Sequence, residues 1–339
     1  MTITPTLSWL TDVHTFAVNR LPAHSDHRYY ETVEEAVNAG PMPLRHPLNG
    51  NWKFHYAENP ASRPERFYRL DDSWAGWGDV TVPGHIQLQG YGKPQYVNTM
   101  YPWDGHNDVR PPEIPMDHNP VGSYVKFFNL PEHMKNKPVY ISFQGVESAF
   151  YVWLNGAFVG YSEDSFTPAE FELTSYLTEG ENKLAVEVYQ RSTGSWLEDQ
   201  DFWRFSGIFR DVYLYTVPEI HLYDLRVRTE LNADFSKAVL DIETKLTKIP
   251  GTITLELCDA EGVLISEKTC QAQEPLQIEV DRPHLWSAEN PYLYRLLIQI
   301  YNESGSLVEV VPQKVGFRKF ELDGGIMRLN GKRIVFKGV

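Results

Sequence analysis

The residues best suited to chemistry gather in two stretches. In Leu197-Glu198-Asp199-Gln200-Asp201-Phe202-Trp203-Arg204, three carboxylates and an amide sit between Trp196 and Trp203. Carboxylates accept hydrogen bonds from hydroxyls, and an indole face packs against the apolar face of a pyranose ring. The run is therefore a candidate grip for sugar hydroxyls or for a cation. Read alone it fits a solvated acidic turn equally well, although exposed turns rarely carry two tryptophans. The second stretch, Tyr96-Val97-Asn98-Thr99-Met100-Tyr101-Pro102-Trp103, holds Asn98 between two tyrosines. Its amide can both donate to and accept from a hydroxyl, but on spacing alone a left-handed turn residue is the simpler reading.

Other constellations are weaker. Asp104, His106, Asp108, Glu113, Asp117 and His118 are loosely spaced and include no His-x-x-x-His pair, which argues against a metal centre. No Gly-x-Ser-x-Gly elbow and no Gly-rich phosphate loop occurs. The net charge of −14 excludes a nucleic-acid partner, because phosphate backbones need Lys/Arg surfaces. No apolar run approaches a membrane span, and the Met1–Pro5 start lacks the basic and apolar regions of a signal peptide.

The only cysteines, Cys258 and Cys270, flank a hairpin turn at Asp259–Val263. If Ala260 pairs with Val263, Cys258 faces Ile265 and Cys270 faces Ile253. The thiols are then roughly 16 Å apart and cannot bridge. Free thiols without an export signal point to the cytoplasm.

The elements that must position these residues are strands. With 339 residues, 42% of them hydrophobic, the chain suits two or three domains. Residues 1–46 form an irregular arm with one helical candidate at Tyr30–Asn38. From 47 to 218, strands are expected at Trp52–Tyr56, Ser123–Leu130, Val139–Phe143, Phe150–Leu154, Leu184–Tyr189 and Val212–Tyr215. Asn155-Gly156 between two apolar runs is a strong hairpin signal. Strands without long helices between them predict an antiparallel sandwich or jelly roll. Two segments, Gly84–Asn119 and Gln190–Arg210, are too long and irregular for sandwich edges and too aromatic for disorder; they are the functional loops.

From 219 to 319, about seven short strands fit an immunoglobulin-like sandwich without its Cys…Trp…Cys signature, among them Leu225–Leu231, Ala238–Leu246, Thr252–Cys258, Leu276–Val280 and Leu293–Tyr301. Residues 320–339 begin a new unit, with a strand expected at Arg333–Lys337.

Leu48-Asn49-Gly50-Asn51-Trp52, Tyr96-Val97-Asn98 with Tyr101-Pro102, Asn119–Tyr124, Gly145–Glu172, Leu197–Arg210, Leu285–Tyr294, Val315-Gly316-Phe317-Arg318 and Leu329–Val339 occur in one order and spacing. Together they resemble family 2 glycoside hydrolases, in the bacterial β-galactosidase branch, over nearly the whole chain. The resemblance implies an all-β chain: a jelly-roll sugar-binding β-sandwich, an immunoglobulin-like β-sandwich, and the start of a truncated (β/α)₈ barrel. It implies a retaining hydrolase of terminal β-galactosides such as lactose, whose two glutamates lie in the barrel beyond these residues. This chain alone is therefore expected to be inactive.

By the same resemblance, Asn98 and Asp201 reach the galactose, Asp201 also holds a sodium ion, and the magnesium ligands lie in the barrel. A further magnesium site at the family's arm is not expected here, since Thr193 and Glu163 stand where an Asp and a Gln are usual. The expected partners are a galactoside, the barrel with the C-terminal domains, and further copies in a homo-oligomer. The rival readings are a stand-alone carbohydrate-binding module, an oligomer-assembly module, or part of a β-glucuronidase.

Overall fold

Asn155 and Gly156 take φ of 53° and 84°, the doubly left-handed turn that Asn-Gly favours, and fold Ala149–Leu154 back on Ala157–Ser162. This hairpin belongs to a seven-stranded antiparallel sheet in a computed structural model describing residues 4–271 and 274–338. The strand order is Ala17–Val18, Ala157–Ser162, Ala149–Leu154, Glu181–Tyr189, Val121–Asn129, Gly50–Ala57 and Gly78–Val82. A four-stranded sheet, Ala169–Glu172, Tyr140–Phe143, Val212–Tyr215 and Arg45–Pro47, packs on one face of it. Trp52, Phe54, Val152 and Leu184 from the first sheet meet Ile141, Phe143, Phe171 and Leu214 from the second in one apolar core.

The other face of the seven-stranded sheet is covered too. Leu10 from the N-terminal 3₁₀ turn and Phe67 pack on Tyr151, Trp153, Tyr161 and Tyr189. Trp9 stacks on Tyr151 with ring centroids 5.8 Å apart. Burial on both faces explains why Ala149–Leu154 is apolar at every position instead of alternating. The first compact unit joins the residues up to Ala23 with Leu44–Thr216.

The second unit joins His24–Pro43 with Val217 onward, so the residues expected as one arm divide between two units. It contains the α-helix Val33–Asn38, capped by Thr32, whose side chain accepts from the Glu35 amide at 3.2 Å. Its sheets are Leu222–Leu231, Lys237–Leu246, Leu276–Asp281 and Leu264–Gln271, Thr252–Cys258, Tyr294–Tyr301, Leu307–Val315. Alternate residues such as Leu240, Ile278 and Leu255 are buried, the period-2 signature of half-covered strands.

Two expectations need correction. Cys270 lies opposite Ile253 as expected, but a bulge between Leu257 and Cys258 puts Cys258 opposite Leu264, not Ile265. The thiols remain free. Near the end, no strand runs over Arg333–Lys337. Instead Phe320–Asp323, Ile326–Leu329 and Lys332–Arg333 form a three-stranded meander, tied to its unit where Asn330 donates to the Trp286 carbonyl at 3.0 Å. Pairing with Ile326–Leu329 runs only as far as the Ile334 amide, which donates to the Met327 carbonyl, and Val335 and Phe336 beyond it are exposed.

Candidate functional site

The two long loops meet as a two-stranded ribbon. Gln95–Val97 pairs antiparallel with Phe202–Arg204, setting Tyr96 opposite Trp203 and Val97 opposite Phe202. One step past the last pair lie Asn98 and Asp201. Opposed residues share a face, so Tyr96 and Trp203 lie on one side of the ribbon. The Tyr96 hydroxyl donates to Asp201 Oδ1. The Tyr96 ring meets Trp203 edge to face with centroids 5.7 Å apart. Both rings are about half exposed, at 53% and 50%.

The structure sorts the carboxylates of the acidic run. Glu198 turns inward and accepts from the Ser165 amide and hydroxyl, each at 2.7 Å. Burial pushes its carboxyl up against the effect of those hydrogen bonds. Asp199 pairs with Arg204, whose Nη2 also donates to the Gln200 carbonyl. For Asp199 too, burial outweighs the arginine and pushes the carboxyl up. Asp201 alone of the three stands exposed, and among the described residues its second oxygen accepts no hydrogen bond. The pairing with Asp201 pushes the Tyr96 phenol up.

Asn98 is also exposed, and its backbone is not left-handed. Its Oδ1 accepts from the Thr99 amide at 2.8 Å, and among the described residues its NH₂ group donates to no partner. Among the described residues no hydrogen bond joins Asn98 to Asp201; each stands one residue beyond the last ladder pair.

Trp196 plays another part than the sequence suggested. Its Nε1 donates to the Glu113 carbonyl at 2.9 Å, and its ring meets Trp103 and Tyr101 edge on, at 4.8 and 4.5 Å. It ties the two loops together, while Trp203 is the exposed indole. Beneath the ribbon, a cavity of about 30 Å³ is lined by Trp103, Glu147, Glu198, Asp199 and Arg204. Burial and the neighbouring Glu198 push Glu147 up to about 8, against the pull of Arg204.

Among the described residues no group of three or more His, Cys, Asp or Glu side chains is placed to hold a metal ion. Asp104, His106, Asp108, Glu113, Asp117 and His118 do not converge: Asp104 accepts from the Tyr101 amide and His118 bonds Asn107. Glu163 is engaged by the Tyr161 hydroxyl at 2.6 Å and by Thr193 and the Gly194 amide, each at 2.8 Å. At Asp201 the free carboxylate oxygen suits a hard cation such as sodium as one ligand among several.

The sequence resemblance names Asn98 and Asp201 as sugar contacts and treats Tyr96 only as a flank. The signal that could have found it is the two-residue spacing Tyr96–Asn98 set against Asp201–Trp203.

The description "Glycosyl hydrolases family 2, sugar binding domain" matches residues 45–218, and "Glycosyl hydrolases family 2" matches 220–318. A beta-galactosidase of Halalkalibacterium halodurans is 66% identical over 98% of this chain and 33% of its own length. That of Clostridium acetobutylicum is 55% identical over 99% of the chain and 38% of its own. A beta-galactosidase large subunit of Leuconostoc lactis is 45% identical over 98% and 55%. The chain thus spans between a third and just over half of these relatives. Among solved structures, a β-glucuronidase of Ruminococcus gnavus superposes with a TM-score of 0.66 at 19% identity, covering 94% of this chain and 50% of that one. That likeness shows the fold alone.

Proposed function

The chain belongs to glycoside hydrolase family 2, and from that premise we propose that it is the sugar-contacting, non-catalytic part of a β-galactosidase. The full-length protein hydrolyses terminal β-galactosides such as lactose by a retaining mechanism. Its acid/base and nucleophile lie outside these residues, on a (β/α)₈ barrel. Supporting this is the naming of the relatives together with one observation: Asn98 and Asp201 are both exposed and immediately flank the paired strands of the ribbon. There the Asp201 carboxylate accepts from a galactose hydroxyl and the Asn98 amide donates to another sugar oxygen. Fixing those two hydroxyls orients the ring toward the barrel's carboxylates. Asp201 also supplies one oxygen to a sodium ion, which adds positive charge beside the sugar oxygens. The magnesium ligands belong to the barrel.

We further propose a jelly-roll domain at 47–218, an immunoglobulin-like domain at 219–319 and the barrel's beginning at 320–339. The full-length protein is read as a cytoplasmic homo-oligomer. The test is hydrolysis of a nitrophenyl β-galactoside by the full-length protein and by residues 1–339. Turnover is expected from the first only. Preference of the full-length protein for a glucuronide, or turnover by residues 1–339, would overturn the reading.

A further inference from the structure

Asp201 is exposed, yet it is not free to turn. Its Oδ1 accepts from the Tyr96 hydroxyl, and Tyr96 is itself held: its backbone is in the ladder opposite Trp203, and its ring is braced edge on against that indole. The loop's other aspartate, Asp199, is held by Arg204 instead. A surface carboxylate ordinarily samples several rotamers and loses that freedom when it binds, which weakens binding. The bond from Tyr96 takes up that cost at folding. It takes up one lone pair of Oδ1 and leaves the rest of the carboxylate open to ligands. Donation to Asp201 leaves the lone pairs of the Tyr96 oxygen able to accept from a second hydroxyl.

We propose that Tyr96 is a positioning residue for galactoside binding, acting through the Asp201 carboxylate that it orients. The inference rests on the reading of Asp201 as a sugar contact. Tyr96→Phe removes only the hydroxyl and keeps the ring on Trp203, and the site is exposed, so the fold is retained.

The experiment is a double-mutant cycle on the full-length protein: wild type, Tyr96→Phe, Asp201→Ala and the double variant, alanine being used because an asparagine oxygen would still accept from the Tyr96 hydroxyl. Each is titrated by calorimetry with isopropyl thio-β-D-galactoside, which is not hydrolysed. Tyr96→Phe is expected to weaken binding roughly 3- to 10-fold when Asp201 is present, and to change it less than about 1.5-fold when made on top of Asp201→Ala. A residue with a merely structural role would give the same loss in both backgrounds, and that result overturns the proposal. Wild-type affinity of Tyr96→Phe alongside a weakened Asp201→Ala also overturns it, leaving the reading of Asp201 intact. Wild-type affinity of Asp201→Ala overturns that reading and the proposal with it.

Discussion

Arg204 reaches back along the chain to Asp199: its Nη2 donates both to that carboxylate and to the carbonyl of Gln200, closing the turn from which Asp201 projects. The two aspartates of one acidic run therefore do different things. Asp199 holds the loop's shape, and Asp201 faces outward.

This division predicts opposite phenotypes for one chemical change. Asp199→Asn relieves the burial of one carboxylate but leaves the Arg204 guanidinium, only 9% exposed, without its counter-ion. The second effect should win, at a cost of about 1–2 kcal/mol of stability. Asp201→Asn should leave the melting temperature unchanged and lower kcat/KM on a β-galactoside about 10- to 150-fold, the value of one charge-assisted hydrogen bond. Melting curves and steady-state kinetics on both variants of the full-length protein check this. Matching phenotypes would mean that the structural division is not a functional one.

Glu147 predicts a pH effect on stability. Its value in the folded protein, about 8, lies above the ordinary 4.5, so folding favours the neutral acid. The contribution is complete below about pH 4.5 and is lost as pH rises through about 8. Glu147→Gln should match wild type in urea unfolding at pH 4.5. Its advantage should grow to roughly 2–4 kcal/mol at alkaline pH. Equal midpoints at alkaline pH would show that the carboxylate ionises there without strain.

The arm predicts a local sensitivity. Leu10 is fully buried in the second apolar cluster, whereas Val13 is 56% exposed. Leu10→Ala should cost about 2–4 kcal/mol by opening a cavity over Tyr151 and Tyr161, and Val13→Ala less than about 0.5 kcal/mol. Denaturant unfolding monitored by tryptophan fluorescence separates the two, since Trp9 lies on the same cluster.

At the other end, the Ile334 amide donates to the Met327 carbonyl at 2.9 Å, while Val335 and Phe336 are 66% and 68% exposed. In residues 1–339 taken alone, hydrogen exchange should be at least about tenfold slower at Ile334 than at Val335–Lys337. Uniform exchange across these residues would mean that the bond at Ile334 is not kept in solution.

Much of this architecture is local and therefore legible in the sequence. Asn155-Gly156 specifies its hairpin because few residues tolerate two consecutive left-handed conformations. Alternation in Lys237–Leu246 and Thr252–Cys258 marks strands covered on one face. The family, too, was legible, because its motifs are short runs in fixed order.

What the sequence by itself left open were relations between distant segments. Ala149–Leu154 reads as an apolar run, but only the docking of Leu10 and Phe67 makes both of its faces interior. By spacing alone the acidic run reads as equivalent carboxylates, and only the family resemblance singles out Asp201. Their division was decided by Ser165, Arg204 and Tyr96, three partners supplied by folding to carboxylates that sequence spacing cannot tell apart. The site itself depends on the register between Gln95–Val97 and Phe202–Arg204. A slip of one residue would send Tyr96 and Trp203 to opposite faces, and that choice is made by the tertiary packing of the loops.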